Sequence, residues 1–152
     1  MWFKARILCV GAEGTKDYGS ALEPCCYEVI RAGTLDEALR LAKGAYFNLY
    51  LISQGTFESS GREFCRRVRT FDQNTPILFS VESAISVDKQ VTKRAGGQEC
   101  IHKSAELWEL EQSIVRLISQ AEAKRQERLR REQSRAPRPE RSRKDSVLRT
   151  VA

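Results

Sequence analysis

Apolar residues along this chain come in short runs, separated by stretches in which they recur every three or four positions. Arg6-Ile7-Leu8-Cys9-Val10 is a β-prone run stopped by Gly11-Ala12-Glu13-Gly14, which predicts a first strand and a turn. Thr15 to Glu23 has the makings of a short helix with Thr15 as N-cap, ended by Pro24. Tyr27 to Ala32 reads as a second strand. Thr34-Leu35-Asp36-Glu37 is a capping box, and Leu35, Ala38, Leu39 and Ala42 repeat behind it at helical spacing as far as Gly44.

The stretch Phe47 to Gly55 is nearly all apolar up to Ser53, as suits a strand buried on both faces in the middle of a parallel sheet. A loop is expected over Thr56 to Gly61, then a helix from Arg62 to Arg69 whose apolar face is Phe64, Cys65 and Val68. Asp72 to Pro76 reads as a turn and Ile77 to Val81 as a fourth strand. Ser86 to Ala95 reads as a weak helix ended by Gly96-Gly97, and Glu99 to His102 as a fifth strand. A last helix from Ser104 carries Leu107, Leu110, Ile114, Leu117 and Ile118 on one stripe. It stays helix-prone to Arg131, and Ala136-Pro137-Arg138-Pro139 breaks it. Strands alternating with helices five times over predict an α/β domain, a parallel sheet with helices on both faces.

Composition leaves that picture intact and adds a division. The chain has 152 residues, 41% hydrophobic and 30% charged, enough for one core. No apolar run reaches the roughly 20 residues of a membrane span. Met1 to Arg6 lacks the pattern of a secretory leader, so a cytoplasmic setting is expected. Residues 1–120 carry 15 Lys/Arg against 15 Asp/Glu, whereas residues 121–152 carry 11 against 5, so the whole net charge of +6 sits in the last segment. Residues 1–120 are expected to form the domain. Residues 121–152 are expected to form a basic helical extension with a charged, weakly hydrophobic end that favours disorder.

Candidate chemistry is sparse. Cys9, Cys25, Cys26, Cys65 and Cys100 include no C-x-x-C pair, and three of them fall in apolar segments where a thiol packs as a small hydrophobe. His102 is the sole histidine, so no His/Cys zinc set can be assembled. In parallel sheets chemistry collects just past the carboxyl ends of the strands. Ser53, which ends the third strand, is therefore the residue to watch.

The order of these pieces resembles the receiver domain of bacterial two-component response regulators, over roughly Ala5 to Gln120. Ile7 to Val10 resembles the first receiver strand. Tyr27 to Val29 with Leu35 to Leu39 resembles the second strand and helix, and Asn48 to Ile52 the strand bearing the phospho-acceptor. Ser60 to Arg69, Thr75 to Ser80, and Ala95 to Lys103 resemble the later elements. The resemblance implies a flavodoxin-like five-stranded sheet in the order 2-1-3-4-5. It also implies a site in which two acidic residues after strand one hold Mg²⁺ and an aspartate ends strand three. A Ser or Thr ending strand four and a Lys after strand five would contact the phosphoryl group.

On this sequence the acidic pair falls on Gly11 and Ala12, and the acceptor on Ser53; Ser80 and Lys103 match. The three departures are the three carboxylates. The expectation is a pseudo-receiver, no enzyme and without the family's Mg²⁺ site, in which Glu13 and Asp17 are the nearest substitute ligands. It would signal through a protein partner on the strand-five and last-helix face, with a homodimer as one form of that contact. The alternative puts function in the basic residues Lys124, Arg125, Arg128, Arg130 and Arg131. These could meet nucleic acid or an anionic membrane by charge, with the domain as scaffold or dimeriser.

Overall fold

The computed structural model describes residues 4–11, 18–53, 58–81, 99–102 and 105–135. Five strands, β1 Ala5–Val10, β2 Tyr27–Ala32, β3 Leu49–Ser53, β4 Ile77–Val81 and β5 Glu99–His102, pair in parallel in the order β2-β1-β3-β4-β5. This is the order the resemblance implied. Register runs Ile7↔Leu49 across β1 and β3, Ser53↔Ser80 across β3 and β4, and Ser80↔Ile101 across β4 and β5.

Side chains alternate across the sheet, because successive Cβ atoms in a strand point to opposite faces. On one face Leu8, Val10, Tyr50, Ile52, Ile77 and Phe79 pack with Ala38, Leu39 and Ala42 of helix α2 (Leu35–Gly44). Phe64, Cys65 and Val68 of helix α3 (Glu58–Val68) complete that layer. On the other face Ile7, Leu49, Leu51, Leu78 and Ile101 pack with Leu22 of a short helix (Tyr18–Leu22) and with Leu110, Ile114 and Leu117 of the last helix (Leu107–Arg135). These two are α1 and α4. Both faces of the sheet are thus covered by helices, which is why the strand runs read as almost continuously apolar.

Several boundaries differ from expectation for local reasons. The first helix is one turn, Tyr18–Leu22, and continues as a 3-10 turn at Glu23–Cys25 in which Pro24 occupies a first-turn position that needs no N–H donor; the expected cap, Thr15, lies outside the described residues. Helix α3 starts at Glu58 and not at Arg62, so Gly61, read as a loop residue, lies inside it and is buried. The third strand begins at Leu49, two residues later than Phe47. Asn48 explains the delay: its side-chain oxygen accepts from the Arg6 N–H at 2.8 Å while its own N–H donates to the Arg6 carbonyl at 2.8 Å. Helix α4 starts at Leu107 and not at Ser104, and Leu107 is exposed, so the buried stripe is Leu110, Ser113, Ile114 and Leu117. The helix expected over Ser86 to Ala95 lies outside the described residues.

The capping box forms with a shift. Thr34 Oγ1 accepts from the Glu37 N–H at 3.2 Å, but the Glu37 carboxylate accepts from the N–H of Gly33 at 3.3 Å, one residue before the cap. The chain divides into two compact units, residues 1–122 and 123–152. In the second unit α4 runs on to Arg135 with every residue exposed.

Candidate functional site at the carboxyl ends of the strands

Ser53 is the last residue of β3, and its Cα is in register with that of Ser80 on β4, a separation of roughly 4.8 Å between paired strands. The fold therefore brings together two of the residues singled out from the sequence. Gly11 follows the last residue of β1, held by its N–H to the Ala32 carbonyl at 3.2 Å. Ala12 and Lys103 lie outside the described residues, as do Glu13 and Asp17.

Two details add chemistry that residue type alone did not show. Gly11 has φ 153°, a backbone conformation that side-chain-bearing residues rarely adopt. The chain at this point is shaped for glycine, so the missing carboxylate is accompanied by a backbone that disfavours one. Ser80 is 1% exposed, and its hydroxyl oxygen is buried with no hydrogen-bond partner among the described residues. A buried hydroxyl with nothing to bond is costly.

The donor set can be tested against Mg²⁺, the cation that receivers use. A hard cation near octahedral geometry needs carboxylate or carbonyl oxygens. The described family positions Gly11, Ser53 and Ser80 supply no carboxylate. No group of three or more His, Cys, Asp or Glu side chains converges among the described residues. Gly11, Ser53 and Ser80 by themselves do not make a donor set for the cation.

The opposite end of the sheet carries a polar cluster that sequence inspection read only as a turn. Tyr50 Oη donates to Asp72 Oδ2 at 2.7 Å. Asp72 Oδ1 accepts from the N–H groups of Asn74 and Thr75, both at 3.1 Å. Arg69 donates to the carbonyls of Asp72 and Thr75 at 3.0 and 2.9 Å. Burial pushes the Asp72 carboxyl upward, but the bonds from Thr75, Tyr50 and Asn74 outweigh it and hold the group below its ordinary value. The Tyr50 hydroxyl is pushed up by burial and by the Asp72 charge. The Asp-x-Asn-Thr spacing was the available signal, since an Asp can bond backbone two and three residues on. The cluster pins the loop before β4 to β3 and is structural.

Of the five cysteines Cys65 is buried in the core and Cys26 is exposed. Burial pushes the Cys65 thiol up to about 12, far from a reactive thiolate. Cys25 is raised as well, by desolvation first and then by neighbouring Glu111.

No known protein-family profile matches the sequence, and no curated protein matches it. Solved structures do. The chemotaxis response regulator CheY4 of Vibrio cholerae is 26% identical with a TM-score of 0.64, over 74% of this chain and 98% of that one. The non-phosphorylated HemR receiver domain of Leptospira biflexa is 26% identical with a TM-score of 0.61, over 76% of this chain and 95% of that one. A receiver domain of a sensor histidine kinase from Pseudomonas aeruginosa, which holds a magnesium ion in its active-site cleft, is 20% identical with a TM-score of 0.64, over 76% and 98%. With its strand order, its parallel register and its match to nearly the whole of these domains, the chain has the response-regulator receiver fold.

Proposed function

We propose that this chain is a pseudo-receiver, a signalling module that works by protein contact and takes no phosphoryl group at the end of β3. The observation that carries the reading is the strand-end chemistry. Within a receiver fold, Ser53 stands in register with Ser80 where the acceptor carboxylate would be, and Gly11 occupies the end of β1 in a backbone conformation hostile to side chains. A serine hydroxyl needs an adjacent base to act as a nucleophile, which a carboxylate acceptor does not. The retained family positions Ser80 and Lys103 are then remnants of a site whose cation ligands are gone.

A protein partner would meet the β5 and α4 side of the domain. What supports contact through α4 is that it exposes Trp108 and Val115, 58% and 55% accessible, which with Lys4 and with Tyr27 of β2 line a groove of about 450 Å³ on the side of the helix away from β5. The edge turned toward β5 carries the Arg116–Glu99 ion pair, with Ser113 beside it. The surface combines apolar area with fixed charge, the composition of a protein contact.

The test is exposure of the full chain to acetyl phosphate, and separately to beryllofluoride, each with Mg²⁺. Intact mass and amide NMR are expected to show no added phosphoryl group and no Mg²⁺-dependent shifts near Ser53 and Ser80. A metal-dependent mass gain, or shifts centred on Ser53, overturns the reading.

A further inference from the structure

Beyond the domain, the second unit carries a charge arrangement that the receiver reading does not use. Between Ala123 and Arg135 the chain has six Lys/Arg and two Glu, a net charge of +4 on 13 helical residues, all exposed. At 100° per residue, Lys124, Arg128, Arg131 and Arg135 fall within about 60° of one another, at the spacing i, i+4, i+7, i+11. They form one stripe about 16 Å long at 1.5 Å rise per residue. Arg125 and Arg130, singled out from the sequence together with this group, lie off the stripe, and Arg135 joins it.

We propose that this stripe is a binding surface for the phosphate backbone of a nucleic acid. Five of the six cations are arginines, whose planar fork bonds two phosphate oxygens at once, as lysine cannot. Six Lys/Arg against two Glu leave the segment net positive, and the Glu127–Arg131 pair, at 2.7 Å with both side chains well exposed, is of the weak exposed kind. An anionic membrane is disfavoured by the rest of the wheel. Glu122, Gln126 and Gln133 share the face opposite the stripe with Leu129, which is the sole large apolar side chain between Ala123 and Arg135, whereas an interfacial helix buries a continuous apolar face. No aromatic residue is interleaved to stack on bases, so recognition is of backbone and insensitive to sequence.

The experiment measures fluorescence anisotropy of a labelled 20-base-pair DNA duplex and an RNA single strand of equal length with the full chain, from 50 to 200 mM salt. Four phosphate contacts predict a slope of log K against log salt of about −3.6 on duplex DNA and about −2.8 on the single strand. Two charge-matched double variants separate the stripe from bulk charge. Lys124→Gln with Arg135→Gln is expected to reduce the duplex slope by about 1.8 and weaken binding at least tenfold. Arg125→Gln with Arg130→Gln is expected to change it by less than a third of that. Circular dichroism checks that both keep their helix. Equal losses in the two variants, or no binding at 50 mM salt, overturn the proposal. So does binding to phosphatidylserine-containing vesicles without binding to either nucleic acid. The acetyl phosphate test is blind to the tail, so this proposal and the pseudo-receiver reading fail separately.

Discussion

At the scale of single residues, the strongest statement concerns Ser80. Its hydroxyl is buried without a partner among the described residues. Losing an unsatisfied buried oxygen costs nothing in bonds and removes its desolvation penalty. Ser80→Ala is therefore expected to stabilise the protein by about 1 kcal/mol in urea unfolding; a loss of similar size would mean that the hydroxyl is engaged. Asp72 behaves in the opposite way. Its carboxyl is held below the ordinary 3.8 in the folded chain, so the unfolded chain takes up its proton first as pH falls. The contribution is complete above pH 3.8 and is lost as the pH drops through the lower folded value. In Asp72→Asn that part of the acid sensitivity should vanish, and stability near pH 7 should fall by about 1 to 3 kcal/mol, because the Tyr50 hydroxyl and two backbone N–H groups lose a charged acceptor. Unfolding midpoints of both proteins between pH 2.5 and 7 check this.

At the scale of elements, helix α3 is where propensity and packing disagree. Gly61 reads as a breaker, yet the helix begins at Glu58 and buries it. A Cβ built there would sit 3.4 Å from Phe79 Cε1 and 3.5 Å from Ile52 Cγ2, at the edge of ordinary contact. Helix propensity favours alanine over glycine by about 1 kcal/mol, so Gly61→Ala should stabilise by up to that amount, whereas the larger Gly61→Val should destabilise by overpacking against Phe79 and Ile52. Thermal melts of the two variants with opposite signs would confirm that packing, and not a turn, fixes this helix. The same element shows where sequence reading reaches its limit. Strands two, four and five were legible to the residue, because each β-prone run follows a proline or glycine turn signal, Pro24, Pro76 and Gly96-Gly97 in turn. The start of α2 was legible from its Thr34 cap, whereas α3 and α4 begin at Glu58 and Leu107 and not at Arg62 and Ser104, because in α3 packing overrides the breaker signal of Gly61. At the candidate site residue type speaks without the fold, since Gly11 and Ser53 cannot supply carboxylates. The positive φ of Gly11, the isolation of the Ser80 hydroxyl and the Tyr50–Asp72 bond depend on residues distant in sequence, and no local pattern encodes them.

At the scale of the whole molecule, charge and core are segregated along the chain. All 14 residues from Glu122 to Arg135 are exposed, and the last buried residue of α4 is Leu117. A helix of this length is marginal alone; it persists as a continuation of turns already fixed by Leu110, Ile114 and Leu117, where each added residue gains a backbone bond without a new nucleation cost. Ending the chain at Glu122 is therefore expected to leave the unfolding free energy of the domain within about 1 kcal/mol of the full chain, the range set by a carboxylate left near a helix C-terminus. The net charge, by contrast, falls from +6 to −1. Retention on a cation-exchange column should vanish while the urea midpoint hardly moves. Amide exchange should show the same division from within the full chain, with protection near the global value at Leu110 to Leu117 and little from Ala123 onward. A loss above about 2 kcal/mol on truncation, or strong protection beyond Ala123, would show that the extension contributes to the fold. It could then no longer be treated as a separate carrier of the basic stripe.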